Sequence, residues 1–204
     1  MDLFNQNEVK SEWLQPTKTP SMKGRQVVAI DLETCDTELK KMGPGWPRKI
    51  GDVIGIAISS GDFTAYYPIA HEGGGNMDRS IIIEYIKEIC EDESIQKVFH
   101  NAQYDIGWLS VLNIEVKGYI HDTMIAAALL NENRYSFTLN SMVAEYLGEF
   151  KNESLLKAKA EELGIDPKAE MYKLPAMHVG AYAERDAEVT FGLWQEMKKE
   201  IISQ

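Results

Sequence analysis

The stretch that most constrains this chain is Val27-Val28-Ala29-Ile30-Asp31-Leu32-Glu33-Thr34, an apolar, β-branched run that ends in two carboxylates one residue apart. Its length and branching predict a buried strand rather than a helix. Side chains alternate along a strand, so Asp31 and Glu33 are expected on one face and Leu32 on the other. Two acids sharing a small buried volume raise each other's pKa and destabilise the fold unless a cation lies between them. Hard oxygen ligands favour Mg²⁺ or Mn²⁺ in that role.

The remaining sequence supplies partners for such a site. His100-Asn101-Ala102-Gln103-Tyr104-Asp105 falls where a predicted strand over 97–100 gives way to a helix over 102–112, so Asp105 can add a third carboxylate at the end of the sheet. In the last predicted helix, over 177–202, Tyr182 and Asp186 stand four residues apart and share a face. A phenol beside an acid suits a site that orients a water molecule. Each feature has a plain alternative: Asp105 as a helix cap, Tyr182 with Asp186 as a surface pair, Asp31 and Glu33 as solvated acids at a strand end. Their joint order carries more information than any member.

That order, Asp31-x-Glu33, Asn101-x3-Asp105 and Tyr182-x3-Asp186, resembles the tyrosine-bearing (DEDDy) branch of the DnaQ-like 3′→5′ exonucleases, and within it the proofreading domain of family A DNA polymerases. The segments Gly43-Pro44-Gly45-Trp46-Pro47-Arg48 and Tyr67 through Asn76 resemble the phage and plasmid versions. The resemblance implies a ribonuclease H-like α/β fold, a five-stranded mixed sheet flanked by helices. It implies Asp31, Glu33, Asp105 and Asp186 as metal-site acids holding two divalent ions, Mg²⁺ or Mn²⁺, ~4 Å apart, and Tyr182 as the residue that steers the attacking water. It places Leu32 and Thr34 beside the terminal nucleotide, through backbone and side chain, and Asn101 and Tyr104 beside the penultimate one. His178, four residues before Tyr182, does not fit the histidine variant of the motif. His121-Asp122-Thr123 resembles a supporting segment in the family, and helix capping accounts for Asp122.

Between these motifs the chain reads as an extended lead-in over 1–25, anchored by Trp13 and Leu14, followed by an exonuclease domain over 26–204. Strands are expected at 53–59 and 63–69, forming an antiparallel meander with the first, and at 119–121. Helices are expected at 78–90, 123–130, 139–147 and 154–163, with Asp78 and Asp122 at helix starts. The glycines and prolines of 36–51 predict a long loop without regular structure; its Lys40, Lys41, Trp46, Arg48 and Lys49 are candidates to grip a single strand. His71 to Asn76 reads as a flexible link.

The net charge of −11 argues against a broad basic nucleic-acid surface, although bound metal ions offset acidity where a phosphate sits. Cys35 and Cys90 read as reduced thiols, and Met1-Asp2-Leu3-Phe4-Asn5 lacks the order of a secretion signal. With no apolar run near the ~20 residues of a membrane span, a cytoplasmic location is expected and no membrane partner. The expected partners are single-stranded DNA 3′ ends and a DNA polymerase in cis or in trans, since the chain stops about where such a domain hands over to a polymerase body. A ribonuclease D-like exoribonuclease and a non-catalytic module that binds DNA ends or a replication partner are the alternatives.

Overall fold

The computed structural model describes residues 11–150 and 152–203, so the reading of Met1 to Asn5 lies outside the described residues. Five strands form one mixed sheet: β1 Val27–Cys35, β2 Asp52–Ser59, β3 Thr64–Pro68, β4 Gln96–Phe99 and β5 Ile120–Asp122. Their spatial order is β3-β2-β1-β4-β5. The first three pair antiparallel, as the short turn at Gly61-Asp62 requires, while β4 joins β1 in parallel and β5 joins β4 in parallel. β1 is therefore the central strand.

Strand alternation sorts β1 cleanly. Val28, Ile30 and Leu32 pack into one core cluster with Ile82, Ile86 and Trp108, from the helices α2 (Arg79–Glu91) and α3 (Ala102–Val111). Ala29 faces the opposite layer, where α4 (Thr123–Leu130), α5 (Leu139–Tyr146), α6 (Ser154–Leu163) and the long α7 (Ala176–Ser203) cover the sheet. Asp31 and Glu33 share the parity of Ala29, so they point toward the α7 layer. Two-sided cover of a mixed sheet is the expected α/β architecture.

The helix starts follow from capping. Asp78 accepts from the amides of Ser80 and Ile81 to begin α2. Asp122 accepts from Met124 and Ile125 to begin α4, and also from Asn101 and Ala102 at the start of α3. One carboxylate thus fixes two helices. Gly164 closes α6 in the left-handed conformation, φ 67°.

Three sequence expectations need correction. The 36–51 segment is not devoid of regular structure: α1 (Leu39–Met42) and a 3₁₀ turn at Trp46–Arg48 interrupt it. Pro47 sits in the first positions of that turn, where a missing N–H leaves no bond unmade. The link at 71–76 has no helix or strand, but it is pinned. His71 donates from Nδ1 to the Leu174 carbonyl (2.9 Å) and accepts at Nε2 from the Tyr66 hydroxyl (2.7 Å), while the Asn76 side chain clasps the His71 backbone from both sides. Finally, Leu14 is no anchor, being 85% exposed. Trp13 is turned inward against Gly180 of α7, and neighbouring side chains of an extended segment point opposite ways. Met22 supplies the second anchor of the lead-in.

Candidate active site

β1 brings Asp31 and Glu33 to the α7 face, and α7 returns Asp186 to meet them. One carboxylate oxygen from each of the three lies within 4.8 Å of the others. Acids this close repel unless a cation joins them, and an all-oxygen donor set of this size fits a hard divalent ion. Asp105 stands outside this trio. It is buried in the first turn of α3, and its carboxyl is pushed well above the usual range, first by burial, then by the charges of Asp31, Glu33 and Asp122. The helix amides it was a candidate to cap bond to Asp122 instead.

Tyr182 lies one turn before Asp186 on α7, hydrogen-bonded to it. Burial and the charges of Asp186, Glu33 and Asp31 push the phenol pKa far up, so it stays protonated at any working pH. The surface-pair alternative for Tyr182 and Asp186 is thereby excluded, since Asp186 is only 5% exposed. The β2 residues opposite the strand acids are small: Ala57 pairs with Asp31 and Gly55 with Glu33. A Cβ on Gly55 would stand 2.0 Å from the Tyr66 hydroxyl, so glycine there makes room for the phenol beneath the acids.

The other sequence candidates divide. Thr34, after a register shift between Glu33 and Thr34, meets Tyr104 at 2.8 Å. The Tyr104 hydroxyl donates to Asp36 (3.1 Å), so the Thr34 hydroxyl donates to Tyr104. Asp36 also accepts from the Gly45 amide (2.9 Å), tying the 43–50 segment to this pair. Asn101, at φ 72°, lines a surface groove with Tyr104, Trp46 and Pro44. Leu32 lies as strand alternation predicts, its side chain buried in the core cluster on the face opposite Asp31 and Glu33. Among the loop cations, Arg48 is occupied by the Met42 and Gly43 carbonyls, and Lys40 lines a second groove beside Thr34.

A sequence profile of the 3′-5′ exonuclease family matches residues 17–202. The chain belongs to that family. It is 36% identical over 202 residues to a DNA-directed DNA polymerase of Pseudomonas phage M6, covering 96% of this chain and 30% of the polymerase. It is 27% identical to DNA polymerase I of Pseudomonas aeruginosa, covering 85% of this chain and 19% of that protein. The chain therefore spans less than a third of these relatives. Among solved structures, Trypanosoma brucei RNase D superimposes with a TM-score of 0.64 at 18% identity, covering 88% of this chain and 59% of that one. Brucella melitensis NrnC with bound Mg²⁺ gives 0.61 at 19%, covering 90% and 78%. Those likenesses show that the mixed sheet with helices on both faces is a fold shared with these proteins. A 3′-5′ exonuclease domain of the DNA polymerase I type, metal-dependent as its family is, accounts for the carboxylate cluster.

Residues that the sequence pattern did not single out also belong to this region. Asp36, Tyr66 and Glu153 had no motif to mark them, because their roles come from contacts between distant segments. The nearest available signal was Asp36 itself, a third acid only three residues beyond Glu33.

Proposed function

We propose that this exonuclease domain removes nucleotides from single-stranded or frayed DNA 3′ ends, as the proofreading activity of a phage-type DNA polymerase. The observation that carries the reading is the convergence of Asp31, Glu33 and Asp186 within 4.8 Å, beside a protonated tyrosine. Asp31, Glu33 and Asp186 would hold one divalent ion, and Asp31 with Asp105, directly or through water, a second. Such ions supply Lewis-acid charge to the phosphate and lower the pKa of water. Tyr182 orients the attacking water through its hydroxyl, with Asp186 fixing the phenol. Thr34 and Tyr104 hold the terminal nucleotides in line, so positioning and charge supply the barrier reduction and no covalent nucleophile is needed.

DNA is favoured by the polymerase relatives. RNA is the second reading, supported by the fold likeness to RNase D. The test is a 5′-labelled oligonucleotide, as DNA and as RNA, incubated with the protein in Mg²⁺, in Mn²⁺ and in chelator. A ladder shortened from the 3′ end of DNA, absent in chelator and in Asp31→Ala, is expected. Faster RNA shortening reverses the choice of sugar, and strand binding without shortening in either metal defeats the catalytic reading.

A further inference from the structure

A groove of ≈ 470 Å³ is lined by Thr34, which follows Glu33 in the chain, together with Asp36, Tyr104, Glu153, Lys157 and Lys168. Glu153, at the start of α6, is clamped by two cations: Lys157 Nζ at 2.9 Å and Lys168 Nζ at 3.1 Å. The Glu153 side chain is only 9% exposed, whereas Lys157 and Lys168 are 61% and 55% exposed. Lys168 Nζ also stands 5.9 Å from the centre of the Tyr182 ring, within cation–π range. No sequence motif pointed to this arrangement.

A carboxylate this deeply covered needs a cation, because burying it unpaired is costly. Were Lys168 to leave, Glu153 would keep Lys157 on Oε2 while its buried Oε1 lost its cation, so release needs an anion that competes for Lys168. Lys168 is the partner nearer Tyr182, on a long flexible stem whose ammonium is a compact phosphate ligand. A backbone phosphate in the groove would compete with Glu153 for it.

Resting on the exonuclease reading above, we propose that Lys168 is a phosphate-binding residue of the substrate groove. Glu153 parks it beside Tyr182 and gives it up to a backbone phosphate of the bound strand end. Glu153 is thus a stand-in anion, and Lys157 is the cation that allows the exchange.

The experiment is equilibrium binding of a fluorescent single-stranded oligo-dT to the full chain in Ca²⁺, by anisotropy across a KCl series. Lys168→Ala is expected to weaken binding about fivefold and to reduce the slope of log K against log salt by about 0.7, the share of one phosphate contact on a single strand. Glu153→Gln, which frees the lysine, is expected to act oppositely and tighten binding. Lys157→Ala, which leaves Glu153 dependent on Lys168, is expected to weaken binding, and adding Glu153→Gln to it to restore binding. A purely structural cluster would instead weaken binding in every variant. Parental affinity and salt slope in Lys168→Ala overturn the proposal; because that side chain is exposed, the variant tests it even if Glu153→Gln fails to fold. Shortening of the same oligonucleotide in Mn²⁺ is scored separately. Cleavage with lysine-independent binding defeats only the Lys168 assignment, and Lys168-dependent binding without cleavage defeats only the exonuclease reading.

Discussion

The Asp122 carboxylate accepts the Ala102 amide at 2.8 Å while its other oxygen accepts the Met124 amide, also at 2.8 Å. The strand that ends at Asp122 thereby sets the position of α3, and with it Asp105 and Tyr104. Asp122→Ala removes caps from two helices at once. A loss of about 2 kcal/mol is expected, toward the upper end for a single cap. Urea unfolding measures it, and Asp122→Asn is expected to recover part of the loss.

Tyr182 separates orientation from metal binding. Tyr182→Phe keeps the ring and deletes the hydroxyl bonded to Asp186. A fall of about 10²-fold in the turnover rate is expected, with the substrate KM little changed, because alignment of the water and not ground-state affinity is lost. Single-turnover cleavage of a labelled strand checks the split.

The three clustered acids are expected to make stability depend on divalent cations. Mg²⁺ at a hundred times its dissociation constant is expected to add about 2.7 kcal/mol, a rise of roughly 5–10 °C in Tm at this chain length. Asp186→Asn removes one of the three convergent carboxylates and is expected to flatten the response. Scanning calorimetry with and without chelator reads both.

His71 gives stability an acid limit. Burial lowers its pKa to about 4, against the opposing hydrogen bond to Leu174. The unfolded chain takes up the proton near the ordinary value of 6.5, and the folded chain does so only near 4. The contribution is therefore full above pH 6.5, declines as pH falls through that window, and is gone below about 4. The span corresponds to roughly 3 kcal/mol. Denaturant titrations at several pH values are expected to show the decline, and His71→Gln to remove this share of it.

Gly180 lies two residues before Tyr182, and a Cβ there would stand 2.1 Å from the Trp13 ring. Alanine ordinarily stabilises a helix interior by about 1 kcal/mol relative to glycine. Here the sign is expected to reverse, with Gly180→Ala destabilising by about 1–3 kcal/mol through overpacking. In a Trp13→Ala background the same change is expected to become neutral or stabilising, and a double-mutant cycle on Tm reads the coupling.

The central features of this molecule are written in local pattern. Alternation along β1 put both acids on one face, helical spacing put Tyr182 with Asp186, and capping residues marked Asp78 and Asp122 at the helix starts. What escaped is of another kind. The short helix Leu39–Met42 ends just before the first glycine of 36–51 and is made of good helix formers, and Pro47 suits the first positions of the turn at Trp46–Arg48, so the glycines and prolines bound these pieces rather than forbid them. The anchoring of His71 depends on Leu174, 103 residues away, and the Glu153 clamp on Lys168, across a helix. Such pairings have no period, so no window of sequence contains them. Leu14 shows the same limit at short range, since composition names an apolar residue but not the side on which the backbone turns it.

The placement of Asp31 and Glu33 on the innermost strand has a kinetic corollary. β1 pairs with β2 from Ala29 to Cys35 and with β4 over Val27 to Ala29, while among the described residues β3 and β5 form the margins of the sheet. Amide protons around Ala29, where the two pairings meet, are expected to exchange with solvent only when the whole domain opens, whereas those of the margins escape through local breathing. The acids follow directly from that point in the strand, so the periphery can loosen while Asp31 and Glu33 hold their ångström-scale alignment.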